Sequence, residues 1–167
     1  MIVLVLVATV ILVDSAVAGI KWVDVGVNGL TCSVCTRSIE MSVSRLEFVD
    51  SVVMDLEQAE GRVYLNERSP ISLNKIADAV VGAGFSVRFI KAVFTFDGTE
   101  VDDNGFFEHQ GQLYQWLEFK EPIKGEVSLK LVDADFLPRK ESTKWKKKIE
   151  LSDKQSDKKI IHVVREI

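Results

Sequence analysis

The sequence predicts an α+β fold in two consecutive parts, a βαββαβ unit over residues 19–93 and a small all-β unit over residues 94–167. Three observations predict it: two amphipathic helical stretches fall between four alternating apolar runs, helical periodicity then stops after Phe94, and turn signals divide the rest into short strands. At 167 residues with 47% apolar and 28% charged residues the chain has a globular balance. Its net charge of -4 is unevenly spread, +5 over residues 139–167 and -9 over residues 1–138. Two cysteines cannot make a disulfide framework, so stability must come from buried apolar side chains.

Residues 1–18 stand apart. Ile2 to Val13 is apolar except for Thr9, too short for a bilayer crossing of roughly twenty residues but suited to a secretory signal. Ala16-Val17-Ala18 before Gly19 offers small residues for cleavage after Ala18, although no basic residue precedes the apolar run. The expectation is an exported, periplasmic protein whose thiols meet an oxidising compartment.

The first strand is expected over Ile20–Val27, with Val23, Val25 and Val27 on one face and Trp22, Asp24 and Gly26 on the other. Asn28-Gly29 turns the chain into Leu30-Thr31-Cys32-Ser33-Val34-Cys35, and a helix follows from Thr36 to Leu46, where Cys35, Ile39, Ser42 or Val43, and Leu46 share a face. Strands are expected at Val49–Leu56 and Arg62–Asn66, then a helix over Leu73–Gly82 capped by Ser72, then a strand from Phe85 to Phe94. That order is a ferredoxin-like arrangement, a four-stranded antiparallel sheet with both helices on one face. Beyond it, Leu113–Phe119, Val127–Val132, Lys144–Leu151 and Ile160–Ile167 read as strands of an oligonucleotide-binding-fold (OB-like) barrel or a small sandwich. The aromatic residues Phe106, Phe107, Tyr114, Trp116 and Phe119 are expected in its core.

The chemistry lies in Cys32 and Cys35. Thiols at this spacing can close on a soft metal ion, form a disulfide, or attack another disulfide. Cys32 in the loop and Cys35 in the first helical turn meet free backbone N–H groups and the positive helix end, which favour thiolates. Two convergent thiolates offer a near-linear site that suits monovalent copper and that mercury can also use; structural zinc wants four ligands. His109 and His162 lie outside the first unit, with nothing in the sequence placing either at the loop.

Gly29 through Cys35, followed by Ile39-Glu40, Leu46, Val49, Val52, Asp55-Leu56 and Ala83-Gly84-Phe85, resembles a heavy-metal-associated domain over residues 20–92. That is the fold of copper chaperones, of the N-terminal modules of copper-transporting ATPases and of periplasmic mercury-binding proteins. The resemblance implies a metal site at Cys32 and Cys35, filled by Cu(I) with Hg(II) or Zn(II) as alternatives, and a metal donor or acceptor with thiol ligands as partner. The family most often has Met where this chain has Leu30, a swap that preserves volume but removes a soft thioether. Its copper chaperones often carry Lys where this chain has Phe85; the aromatic residue resembles the ATPase modules and points to a receiver or store.

A thioredoxin-like oxidoreductase is disfavoured, because Thr31 rather than an aromatic residue precedes Cys32 and Pro70 precedes the other helix. The rival reading is an envelope interaction adaptor whose cysteines are closed in a local disulfide and whose β-rich part binds a protein partner. The lysines of Lys140–Lys148 read as a solvated edge strand with Trp145 packed inward, and nucleic acid is not an expected partner. Asp102-Asp103-Asn104-Gly105 reads as a plain turn. No nucleophile triad, paired carboxylates or phosphate-gripping glycine loop is present in the sequence, so no enzyme activity is expected.

Overall fold

The computed structural model describes residues 19–66, 69–98, 101–120, 122–154 and 158–165. The expected signal segment and its cleavage site lie outside the described residues. Twelve elements follow one another: β1 (Gly19–Asn28), α1 (Ser33–Val43), β2 (Val49–Asp55), β3 (Glu60–Leu65), α2 (Leu73–Gly82), β4 (Ser86–Phe96), β5 (Phe106–His109), β6 (Gln112–Trp116), β7 (Gly125–Leu131), α3 (Arg139–Ser142), α4 (Lys146–Asp153) and β8 (Ile160–Arg165).

The first half has the ferredoxin-like order. β1 is central, antiparallel to β3 on one side and to β4 on the other, and β2 pairs with β3 at the edge. Alternation in β1 sends Val23, Val25 and Val27 into the core. On the opposite face Arg62 reaches Asp24 at 2.7 Å, and its guanidinium lies 4.7 Å from the Trp22 ring centre. α1 buries Ile39 and Val43, and α2 buries Leu73, Ile76, Ala77 and Val80, in the same core. The Ser42 hydroxyl donates to the Ala79 carbonyl at 2.8 Å and ties the two helices together. Ser72 occupies the cap position of α2, but its side chain makes no capping hydrogen bond.

The second half departs from the expected barrel or sandwich. β7 pairs antiparallel with β4, β8 with β7, β6 runs parallel to β8, and β5 closes the far edge, giving one eight-stranded sheet ordered β2-β3-β1-β4-β7-β8-β6-β5. The physical reason is the free edge of β4. Its unpaired backbone groups need partners, and β7 supplies them through the register Phe94↔Val127, Ala92↔Leu129 and Lys91↔Lys130. β4 crosses residue 93, where a boundary was expected, and runs on to Phe96.

The second half is not all-β either. Residues expected as a strand at Lys144–Leu151 fall largely in α4, with α3 just before it. Trp145 and Ile149, four residues apart, pack against Phe89, Leu117, Val132, Leu137 and Val164 on the sheet face opposite α1 and α2. A strand would have placed Leu151 on the same face as Ile149, whereas Leu151 is exposed. The aromatic residues do form core: Phe94 touches Phe107 and Tyr114 edge-on at 5.2 and 5.3 Å, and Phe107 stacks on Tyr114. The β5–β6 hairpin turns through Gln110 and Gly111, both at positive φ, as a two-residue turn of this hand requires.

Candidate metal centre

The cysteine loop is set by what lies on either side of it. β1 delivers the chain to Asn28, and Gly29 at φ +83 reverses it, a conformation in which a Cβ is strained. Leu30 then drops into the core, only 7% exposed, and anchors the loop from below. The preserved volume of this Leu is enough for that role. Thr31 to Val34 are exposed, and Val34, 77% exposed, forms an apolar tip between the two cysteines.

Cys32 is the N-cap of α1, in extended backbone geometry, and its sulfur accepts a hydrogen bond from the Cys35 N–H at 3.3 Å. Its carbonyl accepts from the N–H groups of Cys35 and Thr36, at 3.0 and 3.2 Å, so the first turn closes on this one residue. The Thr36 hydroxyl donates to the Ser33 carbonyl at 2.7 Å. No acidic side chain lies in the first turn of α1. No carboxylate of the first turn therefore cancels the positive end of the helix, a setting that favours the thiolate form of a cap cysteine once the disulfide is reduced. Cys35 is half-buried against the core, whereas Cys32 is exposed. One cysteine is held by packing and the other faces solvent.

The two expected ligands are brought together, and in this structure they are joined as the disulfide Cys32–Cys35, with Cα atoms 5.2 Å apart. The disulfide is one of the fates that the spacing leaves open. Metal binding requires the reduced form, because only free thiols can lose protons to an entering ion.

Phe85 is half-buried against the core, next to Gly84 at φ +91, and Ala83 packs beside it at the end of α2. Neither histidine joins the loop. β8, which carries His162, is three strands from β1 along the sheet, and β5, which carries His109, is five strands away. At strand spacings near 4.8 Å those separations are about 14 and about 24 Å along the sheet. His162 is 1% exposed and structural: its Nδ1 donates to the Asp133 carboxylate at 2.7 Å, and its backbone N–H to the other carboxylate oxygen at 2.8 Å. His109 is buried beside the Phe94 ring. Among the described residues no cluster of three or more His, Cys, Asp or Glu side chains could hold a metal ion.

Asp102–Gly105 is a turn. The Asp102 carboxylate accepts from the Asn104 and Phe106 N–H groups at 2.9 and 2.8 Å, and Gly105 sits at φ +81 where a Cβ would lie 2.4 Å from the Trp116 carbonyl oxygen. A cavity of about 460 Å³ opens elsewhere, between α2, α4 and β8, lined among others by Asn74, Asp133, Phe136, Ile149 and Asp153. No residue of the cysteine loop reaches it. The packing of α3 and α4 that walls it was missed in the sequence. The repeat of Trp145 and Ile149 at a spacing of four was the available signal.

Residues 24–86 match the family model of the heavy-metal-associated domain. Among solved structures, the chain is similar to the CopZ metallochaperone, with 22% identity over 40% of this chain and 98% of that one and a TM-score of 0.38. It is similar to the yeast copper transporter domain CCC2A in its apo and Cu(I)-loaded states, with 25% identity over 40% of this chain and 90% of that one and a TM-score of 0.37. A third similar structure is oxidized MerP from Ralstonia metallidurans CH34, with 26% identity over 41% of this chain and 94% of that one and a TM-score of 0.38. No curated protein matches the chain. Residues 24–86, with the cysteine loop inside them, thus form a heavy-metal-associated domain within a longer chain.

Proposed function

We propose that this protein binds a soft metal ion, Cu(I) first, between the thiolates of Cys32 and Cys35 and hands it on to a thiol-bearing partner in the cell envelope. The observation that carries the reading is the pairing of both cysteines at the uncancelled N-terminus of α1, inside a heavy-metal-associated domain. Reduction of the disulfide by a dithiol reductant, which gives two electrons and two protons and becomes a disulfide itself, yields two thiols. An entering Cu(I) displaces both protons, and the helix end stabilises the resulting anionic bis-thiolate centre. A monovalent ion is satisfied by two sulfurs, whereas zinc would need further ligands that the described residues do not supply at the loop. Cys32, exposed, is the sulfur that a partner thiol can replace first, and Cys35, held by the core, releases last. The protein turns over no substrate in this account; it is a carrier or store.

A second reading is favoured by the disulfide itself. In an oxidising compartment the closed Cys32–Cys35 loop leaves a folded adaptor that binds no metal and works through its other surfaces. Anaerobic titration of the reduced protein with Cu(I) against a competing chelator separates the two. The carrier reading expects one ion per chain, lost in the Cys32→Ser/Cys35→Ser variant, with zinc bound more weakly in the same assay. Equal chelator competition by the variant and the parent protein would leave only the adaptor.

A further inference from the structure

We propose that the outward side of α3 and α4 is a docking ridge for an anionic phospholipid surface. The two short helices are joined by a turn that keeps right-handed helical dihedrals at Thr143 and Trp145, and backbone bonds from Thr143 to Arg139, Trp145 to Ser142 and Ile149 to Trp145 run through it. Residues at alternating spacings of four and three therefore stay on one side. Glu141, Ser142, Trp145, Ile149 and Ser152 form the half-buried or buried side, and Lys140, Lys144, Lys147, Leu151 and Lys154 form the exposed one. At about 1.5 Å per residue the exposed row is about 21 Å long.

The charges on this row are unspent. Lysines beside it are paired, Lys148 with Glu118 at 2.5 Å and Lys146 with Glu150 at 3.8 Å, and Glu141 is taken by Lys130 at 2.7 Å. Lys140, Lys144, Lys147 and Lys154 make no ion pair among the described residues. The nearby carboxylates of Glu150 and Asp153 line the cavity, and Asp153 approaches the buried His162 Nε2 at 3.8 Å. Four free ammonium groups thus stand in line on a protein that is acidic elsewhere, with Leu151, 57% exposed, among them.

That combination fits a bilayer better than a nucleic acid. A single-strand binder stacks bases on aromatic rings, but Trp145, the aromatic side chain of this segment, is turned toward the sheet. The row offers no planar, bidentate side chain to read a base edge. An anionic lipid surface asks only for cations in one plane with an apolar side chain between them to enter the headgroup layer. Among the described residues no helix is long and apolar enough to cross a membrane, so the contact is peripheral.

Sedimentation of the full chain with vesicles tests this. Binding is expected to phosphatidylcholine vesicles containing one third phosphatidylglycerol, not to pure phosphatidylcholine, and it should weaken as salt is raised. At about fivefold per lysine, Lys140→Gln/Lys144→Gln/Lys147→Gln should lose on the order of a hundredfold in affinity. These side chains are exposed, so unchanged thermal unfolding of the variant confirms that the fold is intact. Leu151→Ser should weaken binding while leaving its salt dependence unchanged. Cys32→Ser/Cys35→Ser should bind vesicles as the parent does, which separates this surface from metal chemistry. Failure to bind anionic vesicles, equal binding by the triple variant, tighter binding to duplex DNA at the same salt, or a lysine-dependent dimer formed without lipid would each overturn the proposal.

Discussion

Replacing Phe94 by Ala tests whether the two halves of the sheet are one cooperative body. Phe94 lies on β4, the strand shared by both halves, is fully buried, and touches the rings of Phe96, Phe107 and Tyr114 at centroid distances of 5.2 to 5.9 Å. Truncating a fully buried Phe to Ala costs about 3–5 kcal/mol. The upper part of that range applies here, because Phe107 and Tyr114 also lose edge-on partners and are too rigid to fill the space. With a urea slope of about 2 kcal/mol per molar, a loss of about 4 kcal/mol lowers the midpoint by about 2 M. Trp22 on β1 and Trp116 on β6 report the two halves by fluorescence, and far-ultraviolet circular dichroism reports the backbone. A single transition, coincident by both probes and shifted as a whole in Phe94→Ala, is expected. Separate transitions, or a loss below about 1 kcal/mol, would refute the shared core.

The disulfide spans a sequence separation of three, and closing so short a loop stabilises by about 2 kcal/mol on a chain-entropy estimate. Reduction should cost that amount in the parent and nothing in Cys32→Ser/Cys35→Ser. Cu(I) at a thousandfold excess over its dissociation constant should return about 4 kcal/mol to the reduced parent, so chemical denaturation should rank copper-loaded above oxidised above reduced protein. Burial pushes the Tyr114 hydroxyl above its ordinary value near 10. The folded chain then holds this proton longer than the unfolded one, so the stability is full below about pH 10 and falls as pH rises past it. Between pH 9 and pH 11 the parent should lose about 1.4 kcal/mol more than Tyr114→Phe, measured by denaturant unfolding at each pH.

The first half of the fold was legible because each of its elements states its own period. Val23, Val25 and Val27 alternate, while Ile76, Ala79, Val80 and Ala83 repeat at helical spacing, and the structure places α2 at Leu73–Gly82, with Leu73 and Ala77 joining Ile76 and Val80 as its buried residues. The cysteine loop was legible for the same reason, since the Asn28-Gly29 turn and the cysteine pair are local features, but the helix after it begins at Ser33, capped by Cys32, and ends at Val43 instead of running from Thr36 to Leu46. What was hidden is non-local. Nothing in the alternation of Val127, Leu129 and Leu131 says that they pair with Phe94 and Ala92 rather than close a barrel. The parallel pairing of β6 with β8 joins residues nearly fifty positions apart, and the contact of His162 with Asp133 spans 29. α4 is hard to read because Trp145 and Ile149 are its apolar side chains that pack inward, and the third inward residue, Ser152, is polar and carries no hydrophobic period.

The central claim is that two sulfurs, from Cys32 and Cys35 alone, hold the metal. Copper-edge X-ray absorption of the reduced protein loaded with one equivalent of Cu(I) measures this directly. The expected first coordination sphere is two sulfur atoms with no nitrogen or oxygen. Imidazole scattering, or an unchanged spectrum in Cys32→Ser/Cys35→Ser, would contradict it.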